Sequence, residues 1–293
     1  AGLVGIMALG GKLSEEPFSK EDRDLLTTVA RQMGLSLENA ELLEVAKREA
    51  EQSRDLEIAR SVQQNLFPKQ LPVVAGWEFA GICKPAKAVG GDYYDIFEPV
   101  PDKVVVALGD VSGKGLGASF LMSSVHGSIR TRVTSCINEP LKLIEELNAY
   151  LLSSTAKNIF VTLFFGILDL ETGKLSYVNC GHPPAIVIRQ EGNKQERLTR
   201  NGPGLSMIAG ARFTQGGCLL QNGDTIVIYS DGVTEAKNNQ DEMYEEERLS
   251  ELLQNVSGLE ATAIMDKILK SADGFALGAE QADDISVIVV RRC

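Results

Sequence analysis

The stretch "KVVVALGDVSGKGLGAS" (residues 103–119) joins an apolar run to a glycine-rich turn. A P-loop would need four residues between its first glycine and Gly-Lys, followed by a Ser or Thr that reaches magnesium. Here only three residues separate Gly109 from Gly113, and a glycine follows Lys114. Asp110 ends the apolar run, where a bare carboxylate would repel phosphate unless a divalent cation lay between them. The stretch therefore argues against a nucleotide-binding loop and predicts acidic residues at other strand ends.

Four acidic sites share this context, each beside an apolar run. They are Asp92 in "GGDYYD", Asp110, Asp231 in "TIVIYSDG", and Asp283 with Asp284 in "DDISVIVV". Magnesium and manganese prefer oxygen ligands, and carboxylates from separate strand ends could hold two ions roughly 3.5–4 Å apart. The other interpretation is that aspartate is simply common at turns and caps. The shared placement of all four sites favours a metal-dependent hydrolase.

Strands dominate the chain from about residue 73. They are predicted at 77–86, 103–110, 159–189 (with a hairpin around "DLETG"), 224–232 and 283–292. Helices are predicted at 115–134, 140–155, 246–254 and 259–271. Because the strands come in adjacent pairs instead of alternating strictly with helices, we expect an α+β fold in which antiparallel sheets carry helices on their outer faces.

The sequence of the first 70 residues predicts one strand followed by a long helix. "LVGIMALGG" (3–11) predicts a strand, and Ser19 with Asp22 predicts a capping box that opens a helix of more than 40 residues. Its apolar positions are spaced by alternating steps of four and three, as in a coiled-coil seam, but residues 47–55 are almost all polar. One interpretation is a long surface helix in a monomer. We favour a homodimer through this helix, because the apolar stripe has no other surface to bury against.

The composition limits the classes of binding partner and the cellular compartment that we expect. A net charge of −11 argues against nucleic-acid partners and against an anionic membrane surface. No apolar run approaches the roughly 20 residues of a membrane span. The five cysteines are scattered without a CxxC pair, which is typical of reduced thiols in a cytoplasmic protein. No signal peptide is visible, and we expect the chain, which starts at Ala1, to be a fragment.

Five motifs occur in a diagnostic order between residues 56 and 293. They are "AVGGDYYD", "GDVSGKGLGAS", "VNCGHPPAIVI", "YSDGVTEA" and "DDISVIVV". In this order they resemble the metal-dependent serine/threonine protein phosphatases (PPM) of the stage II sporulation E (SpoIIE) type. The resemblance implies a two-sheet β-sandwich flanked by helices (αββα), preceded here by a long helix or coiled coil. It also implies two Mn²⁺ or Mg²⁺ ions and an activated water that attacks phosphoserine or phosphothreonine without a covalent intermediate.

The resemblance also implies roles for individual residues. The metal ligands would be Asp92, Asp110, Asp231 and Asp283, with the backbone carbonyl of Val111 as a further ligand and Asp284, the neighbour of Asp283, as an additional candidate ligand. Lys87, five residues before Asp92, would contact the substrate phosphate. Tyr244-Glu245 departs from the Phe-Gly of many relatives, which leaves substrate choice open at that loop. His182 is either a hydrogen-bonded turn histidine or a catalytic acid, and His126 is a core or surface histidine.

Residues 1–45 resemble the C-terminal end of a GAF sensory domain. The expected organisation is therefore a GAF-like part (1–45), a helical linker (46–68) and the phosphatase domain (69–293). In relatives the sensory domain regulates the phosphatase, and the substrate is often a phosphorylated anti-sigma-factor antagonist of the STAS fold. Two other functions stay open, namely a catalytically silent domain that only binds partners and a hydrolase of small phosphoesters.

Overall fold

The computed structural model describes residues 5–156 and 158–293, which divide into two compact units, Ala1–Ile58 and Ala59–Cys293. The helices are α1 Lys20–Gln64, α2 Leu116–Arg132, α3 Pro140–Ser154, α4 Asp231–Thr234, α5 Glu245–Leu253 and α6 Ala261–Ala276. The strands are β1 Trp77–Lys84, β2 Tyr93–Val100, β3 Lys103–Val111, β4 Val161–Asp169, β5 Lys174–Cys180, β6 Ala185–Ile188, β7 Gln195–Leu198, β8 Gly216–Leu219, β9 Thr225–Tyr229 and β10 Ile285–Arg292.

The second unit is built on two five-stranded antiparallel sheets. The first has the order β1-β10-β9-β6-β7 and the second the order β2-β3-β4-β5-β8. The hairpin predicted around "DLETG" is formed by β4 and β5, which pair from Leu163↔Cys180 to Leu168↔Leu175. In the first sheet, β10 is an interior strand between β1 and β9.

Strand β3 shows why its sequence is apolar at nearly every position. Val104, Val106 and Leu108 face the core between the two sheets. The alternate residues Val105 and Ala107 face a second core that α2 and α3 cover. Because successive side chains of a strand point to opposite faces, a strand buried on both sides needs apolar residues at both.

Strand β10 divides its side chains in the same way. Ile288 and Val290 enter the core between the sheets, and Val287 and Val289 enter a third core that α5 and α6 cover. The layers are therefore helix, sheet, sheet and helix, which confirms the predicted αββα sandwich.

Helix α1 begins at the predicted capping box. The Ser19 backbone N–H donates to Asp22 Oδ2 at 2.8 Å, and the Asp22 N–H donates to Ser19 Oγ at 3.2 Å. The helix then continues without a break for 45 residues, and within it only Gln63 is buried among the described residues. The predicted long helix is therefore confirmed.

The strand predicted at residues 3–11 is wrong for the part that the structure describes. Residues 5–11 have no regular secondary structure, and residues 3 and 4 lie outside the described range. A single apolar segment forms a stable strand only beside another strand, and the described part of the first unit contains none. Among the described residues, no helix combines the length and apolar character that crossing a bilayer requires.

Candidate functional site

The candidate site lies where the loop between β1 and β2 meets the ends of three other strands. This loop ends at Asp92, Asp110 lies near the end of β3, Asp231 follows β9, and Asp283 precedes β10. A methyl group on Gly91 would stand 2.9 Å from the carbonyl oxygen of Val111 and 3.4 Å from Asp110 Oδ1. The structure thus brings the predicted residues from both sheets to one end of the sandwich.

Asp92 is buried and Asp110 is half-buried, and the pKa values of both are raised. Burial, followed by the negative charge of Asp110, raises the pKa of Asp92 well above its usual range. Burial, followed by the charges of Asp231 and Asp283, raises the pKa of Asp110 to about 7, although the nearby side chain of Asp92 offsets part of this. Carboxylates this close repel one another in a low-dielectric site, so the ionised group needs positive charge.

Asp231 and Asp283 are both half-buried. Burial raises the pKa of Asp231, and the charges of Glu235 and Asp283 add to the effect. Asp283 Oδ2 is 2.9 Å from the Nζ of Lys114, which also donates to the carbonyl oxygen of Ala282 at 2.6 Å. The lysine of the "GKG" turn is therefore part of the site, and no local sequence pattern indicates this.

Asp284 holds the loop that carries Asp92. Its Oδ1 accepts the N–H of Ala86 at 2.7 Å, and its Oδ2 accepts those of Gly91 at 2.7 Å and Asp92 at 3.3 Å. Both oxygens of this buried carboxylate thus have backbone partners. This geometry gives Asp284 a part in fixing the loop, while its predicted role as a metal ligand stays a prediction.

At two positions of the site, neighbouring atoms leave no room for a side chain larger than that of glycine. A methyl group on Gly90 would collide with the carboxylate of Asp284, and one on Gly232 would collide with the backbone carbonyl of Asp284. A backbone obstacle cannot move aside as a flexible side chain can. The glycines beside the aspartates thus allow the segments around Asp284 to pack against one another.

The donor set fits hard divalent cations. All the candidate ligands offer oxygen, and Asp92 Oδ2 is buried without a hydrogen-bond partner among the described residues. Within residues 5–156 and 158–293, no three side chains of His, Cys, Asp or Glu converge closely enough to hold one ion as they stand. Magnesium is often bound through one or two carboxylates with several waters retained, so such an ion does not need three converging side chains.

Two lysines border one side of the site. Exposed Lys87 and Lys114 line a small cleft together with Gly115 and the two aspartates 283 and 284. A second cleft of about 290 Å³ opens beside Asp283 and Gly232. Positive charge next to a group of carboxylates suits a phosphorylated ligand, because the phosphate needs cations on more than one side.

His182 lies behind the candidate ligands. Its side chain is fully buried, its Nδ1 is 2.9 Å from Thr162 Oγ1, and Thr162 pairs with Asp110 across β3 and β4. Burial lowers the pKa of His182 to about 3, so the ring is neutral at physiological pH. The structure thus gives His182 the role of a hydrogen-bonded turn histidine.

A buried ion pair connects the two segments that lead away from Asp92 and Asp110. Arg130 of α2 donates to both oxygens of Asp95 in β2, at 2.7 and 2.6 Å, and Asp95 is fully buried. The guanidinium also stacks on the Phe97 ring at 3.7 Å, and half-buried His126 lies 3.8 Å from Asp95. Asp95 ends the motif "AVGGDYYD", but its partner lies 35 residues further along the chain, and no local sequence pattern connects the two.

Comparison with known sequences identifies a family and several relatives of the chain. Residues 101–293 match the family model described as Stage II sporulation protein E (SpoIIE). Protein IcfG of Synechocystis sp. is 32% identical, with 81% of this chain and 41% of IcfG covered. Phosphoserine phosphatase RsbU of Bacillus subtilis is 29% identical, with 81% of this chain and 70% of RsbU covered. The chain therefore spans less than half the length of IcfG.

Solved structures share the fold at low sequence identity. The SiaA-PP2C domain of Pseudomonas aeruginosa has a TM-score of 0.75 at 16% identity, covering 84% of this chain and 99% of that domain. The structure of RsbX in complex with magnesium has a TM-score of 0.57 at 15% identity, covering 76% of this chain and 99% of RsbX. At these identities the likeness establishes the fold of the second unit.

Proposed function

The chain belongs to the SpoIIE family of PPM phosphatases, and from this premise we propose that it is a metal-dependent phosphatase of phosphoserine or phosphothreonine in a regulatory protein. The observation that carries the proposal is the group of four carboxylates at one end of the sandwich. Burial, and after it the repulsion between neighbouring carboxylates, raises the pKa values of Asp92, Asp110 and Asp231, and Asp92 keeps one buried oxygen without a partner among the described residues. Such an arrangement costs stability unless cations offset it.

In this proposal the residues divide by position. Asp92, Asp110, Asp231 and Asp283 hold two Mn²⁺ or Mg²⁺ ions, and the Val111 carbonyl completes the oxygen set. When bound, the ions supply an activated water and neutralise charge on the phosphoryl group. The name of RsbU describes a phosphoserine phosphatase, and RsbX was solved with magnesium, which supports both the substrate class and the ions.

Lys87 and Lys114 contribute the positive charge of the protein itself at the phosphate. The cleft beside Asp283 and Gly232 then has room for the polypeptide that carries the phosphorylated residue. By this geometry the lysines bind the substrate and the aspartates hold the ions. The wider arrangement, with a GAF-like part at 1–45, a linker at 46–68 and a STAS-type phosphoprotein as substrate, belongs to the same proposal.

One set of assays distinguishes the three possible functions. The chain is incubated with a phosphoserine protein and with para-nitrophenyl phosphate, each with Mn²⁺ and with EDTA. We expect Mn²⁺-dependent turnover of both compounds and a higher kcat/KM for the protein. Turnover of para-nitrophenyl phosphate alone would favour a hydrolase of small phosphoesters. Binding of the phosphoprotein without turnover would favour a catalytically silent domain.

We expect Lys87→Ala to raise KM for a phosphoprotein more than it lowers kcat. The side chain is exposed at the edge of the cleft, so its loss weakens binding in the ground state and the transition state alike. An increase in KM of about 5-fold corresponds to roughly 1 kcal/mol, as for a partly solvated charged contact. Steady-state kinetics at saturating Mn²⁺ measure this, with exposed Lys69→Ala as the matched control. An unchanged KM would show that Lys87 is a surface lysine that does not contact the substrate.

Helix α1 is proposed to pair with a second copy of itself. Met33 and Leu37 are each more than half exposed, and they line an apolar groove with Ile6 and Met7. Exposed apolar side chains at seam spacing are typical of a coiled coil that lacks its partner. We expect sedimentation to show a dimer of the parent chain and a monomer of the Met33→Glu, Leu37→Glu double variant.

The double variant should keep its Mn²⁺ affinity, because both substitutions lie outside the second unit. Its specific activity should change with the loss of the dimer. The control is a double variant one position earlier, Gln32→Glu with Ser36→Glu. It replaces two exposed polar residues and adds the same charge. A parent chain that is monomeric at micromolar concentration would contradict the dimer.

A further inference from the structure

The last turn of α1 reaches the loop of Asp92 through one side chain. Gln63 Nε2–H donates to the carbonyl oxygen of Gly90 at 2.7 Å, and Gln63 Oε1 accepts the N–H of Gly90 at 3.1 Å. Gln63 is 4% exposed, whereas Val62 and Gln64 on either side of it are exposed. A polar side chain is buried here because a pair of hydrogen bonds compensates for the loss of water.

The pair of bonds occupies the whole backbone of Gly90. The backbone of a single residue offers one N–H donor and one carbonyl acceptor, and a primary amide is the side chain that matches both at once. The orientation of the Gln63 amide is also determined, because the N–H of Gly90 can only donate and its carbonyl can only accept. A carboxylate at position 63 would keep the acceptor and lose the donor, and an apolar side chain would lose both.

The same loop is fixed on its other side by Asp284. That carboxylate accepts the N–H groups of Ala86, Gly91 and Asp92, so the segment 86–92 is held between Gln63 and Asp284. Gly91 meanwhile packs against the Val111 carbonyl. The backbone just before Asp92 is therefore constrained from three directions, and Gln63 supplies the constraint that comes from outside the sandwich strands.

We infer that Gln63 is a positioning residue for Asp92, which fixes the Gly90 peptide so that the Asp92 carboxylate is oriented for metal binding. The inference rests on the proposed metal site. Groups that orient metal ligands without touching the metal typically change affinity or activity about 10- to 100-fold when they are removed. Gln63 differs from a residue that only stabilises the fold, because its loss should weaken metal binding more than it lowers stability.

The test compares two neighbouring glutamines in the full 293-residue chain. Gln63→Met removes both hydrogen bonds at similar side-chain length, and Gln64→Met makes the same change at an exposed position. Calorimetric titration with Mn²⁺ should show about 10-fold weaker binding for Gln63→Met and parent-like binding for Gln64→Met. Raising the Mn²⁺ concentration should restore much of the kcat of Gln63→Met.

Hydrogen exchange without metal provides a second readout. The Gly90 amide should be protected in the parent and in Gln64→Met, and should exchange quickly in Gln63→Met. If Gln63→Met does not fold, Gln63→Glu, which keeps the acceptor, loses the donor and adds a negative charge, takes its place in both measurements, with Gln64→Glu as its control.

Equal Mn²⁺ affinity in the two methionine variants would overturn the inference, whatever their melting temperatures. An unprotected Gly90 amide in a parent chain that binds Mn²⁺ would also overturn it, while leaving the proposed function intact. A parent chain that binds no Mn²⁺ would contradict the proposed function itself, and the inference with it.

Discussion

Asp110→Asn is expected to lower kcat/KM for a phosphoserine protein by about 10³-fold at saturating Mn²⁺, which corresponds to about 4 kcal/mol of transition-state stabilisation. The amide is neutral and offers a single oxygen, so it holds a divalent cation weakly. Asp110 also lies at the centre of the group, where the charges of Asp231, Asp283 and Asp284 all act on it. Steady-state kinetics and calorimetry with Mn²⁺ measure the two losses.

The same substitution should stabilise the protein in the absence of metal. The folded-state pKa of Asp110 is about 7, above that of an unfolded aspartate, so between pH 4 and pH 7 the folded state binds more protons. Its free energy of unfolding therefore falls as pH rises through this window. Asparagine carries no proton to lose, so Asp110→Asn should flatten that part of the pH profile and raise the melting temperature at pH 8.

Asp102→Asn is the matched control, because it makes the same change at an exposed turn with a left-handed backbone that asparagine tolerates. It should leave both activity and stability close to those of the parent. Normal turnover of Asp110→Asn would exclude Asp110 as a metal ligand. Lost activity together with lost metal-free stability would indicate a damaged fold instead.

Arg130→Met is expected to lower the free energy of unfolding by about 3 kcal/mol. The substitution leaves the fully buried Asp95 carboxylate without the two hydrogen bonds from Arg130, while the hydroxyl of Tyr93 at 3.2 Å and the Nε2 of His126 at 3.8 Å stay nearby. We choose the lower end of the range for a broken buried pair because the guanidinium itself is partly exposed. Urea denaturation measures the loss.

Two further variants separate the buried charge from general disturbance of α2. Arg132→Met removes an arginine that pairs with Glu146 at the surface and should cost less than about 1 kcal/mol. Adding Asp95→Asn to Arg130→Met removes the unpaired charge and should restore part of the stability. If Arg130→Met and Arg132→Met are equally stable, the Asp95 pair contributes little.

Much of the fold could be predicted because its strands are buried on both faces. Runs such as residues 104–108 and 287–290 are apolar at every position, and turns with glycine or aspartate lie near their ends. Strand β2, by contrast, was not predicted, since residues 93–100 include Asp95 and Glu98. The buried Asp95 is compensated by Arg130, and such a partner cannot be read from local sequence.

The candidate metal ligands could be predicted from the sequence because they lie at the ends of apolar strands. The aspartates 92, 110, 231 and 283 were identified in that way, and the structure brings their strand ends together. The groups that orient them were not identified. Gln63 precedes Gly90 by 27 residues and Lys114 precedes Asp283 by 169, and both pairings depend on tertiary structure alone. Hydrophobic periodicity and motif spacing do not indicate such contacts.

The interior position of β10 has a consequence for how the protein is made. This strand pairs with β1 on one side and with β9 on the other, and it follows directly on Asp283 and Asp284. Until residues 285–292 have left the ribosome, β1 and β9 have no common neighbour and the loop of Asp92 lacks its Asp284 support. A nascent chain therefore completes its first sheet and its candidate site in one late event, and chains released before that point would expose the edges of β1 and β9 to quality-control proteases.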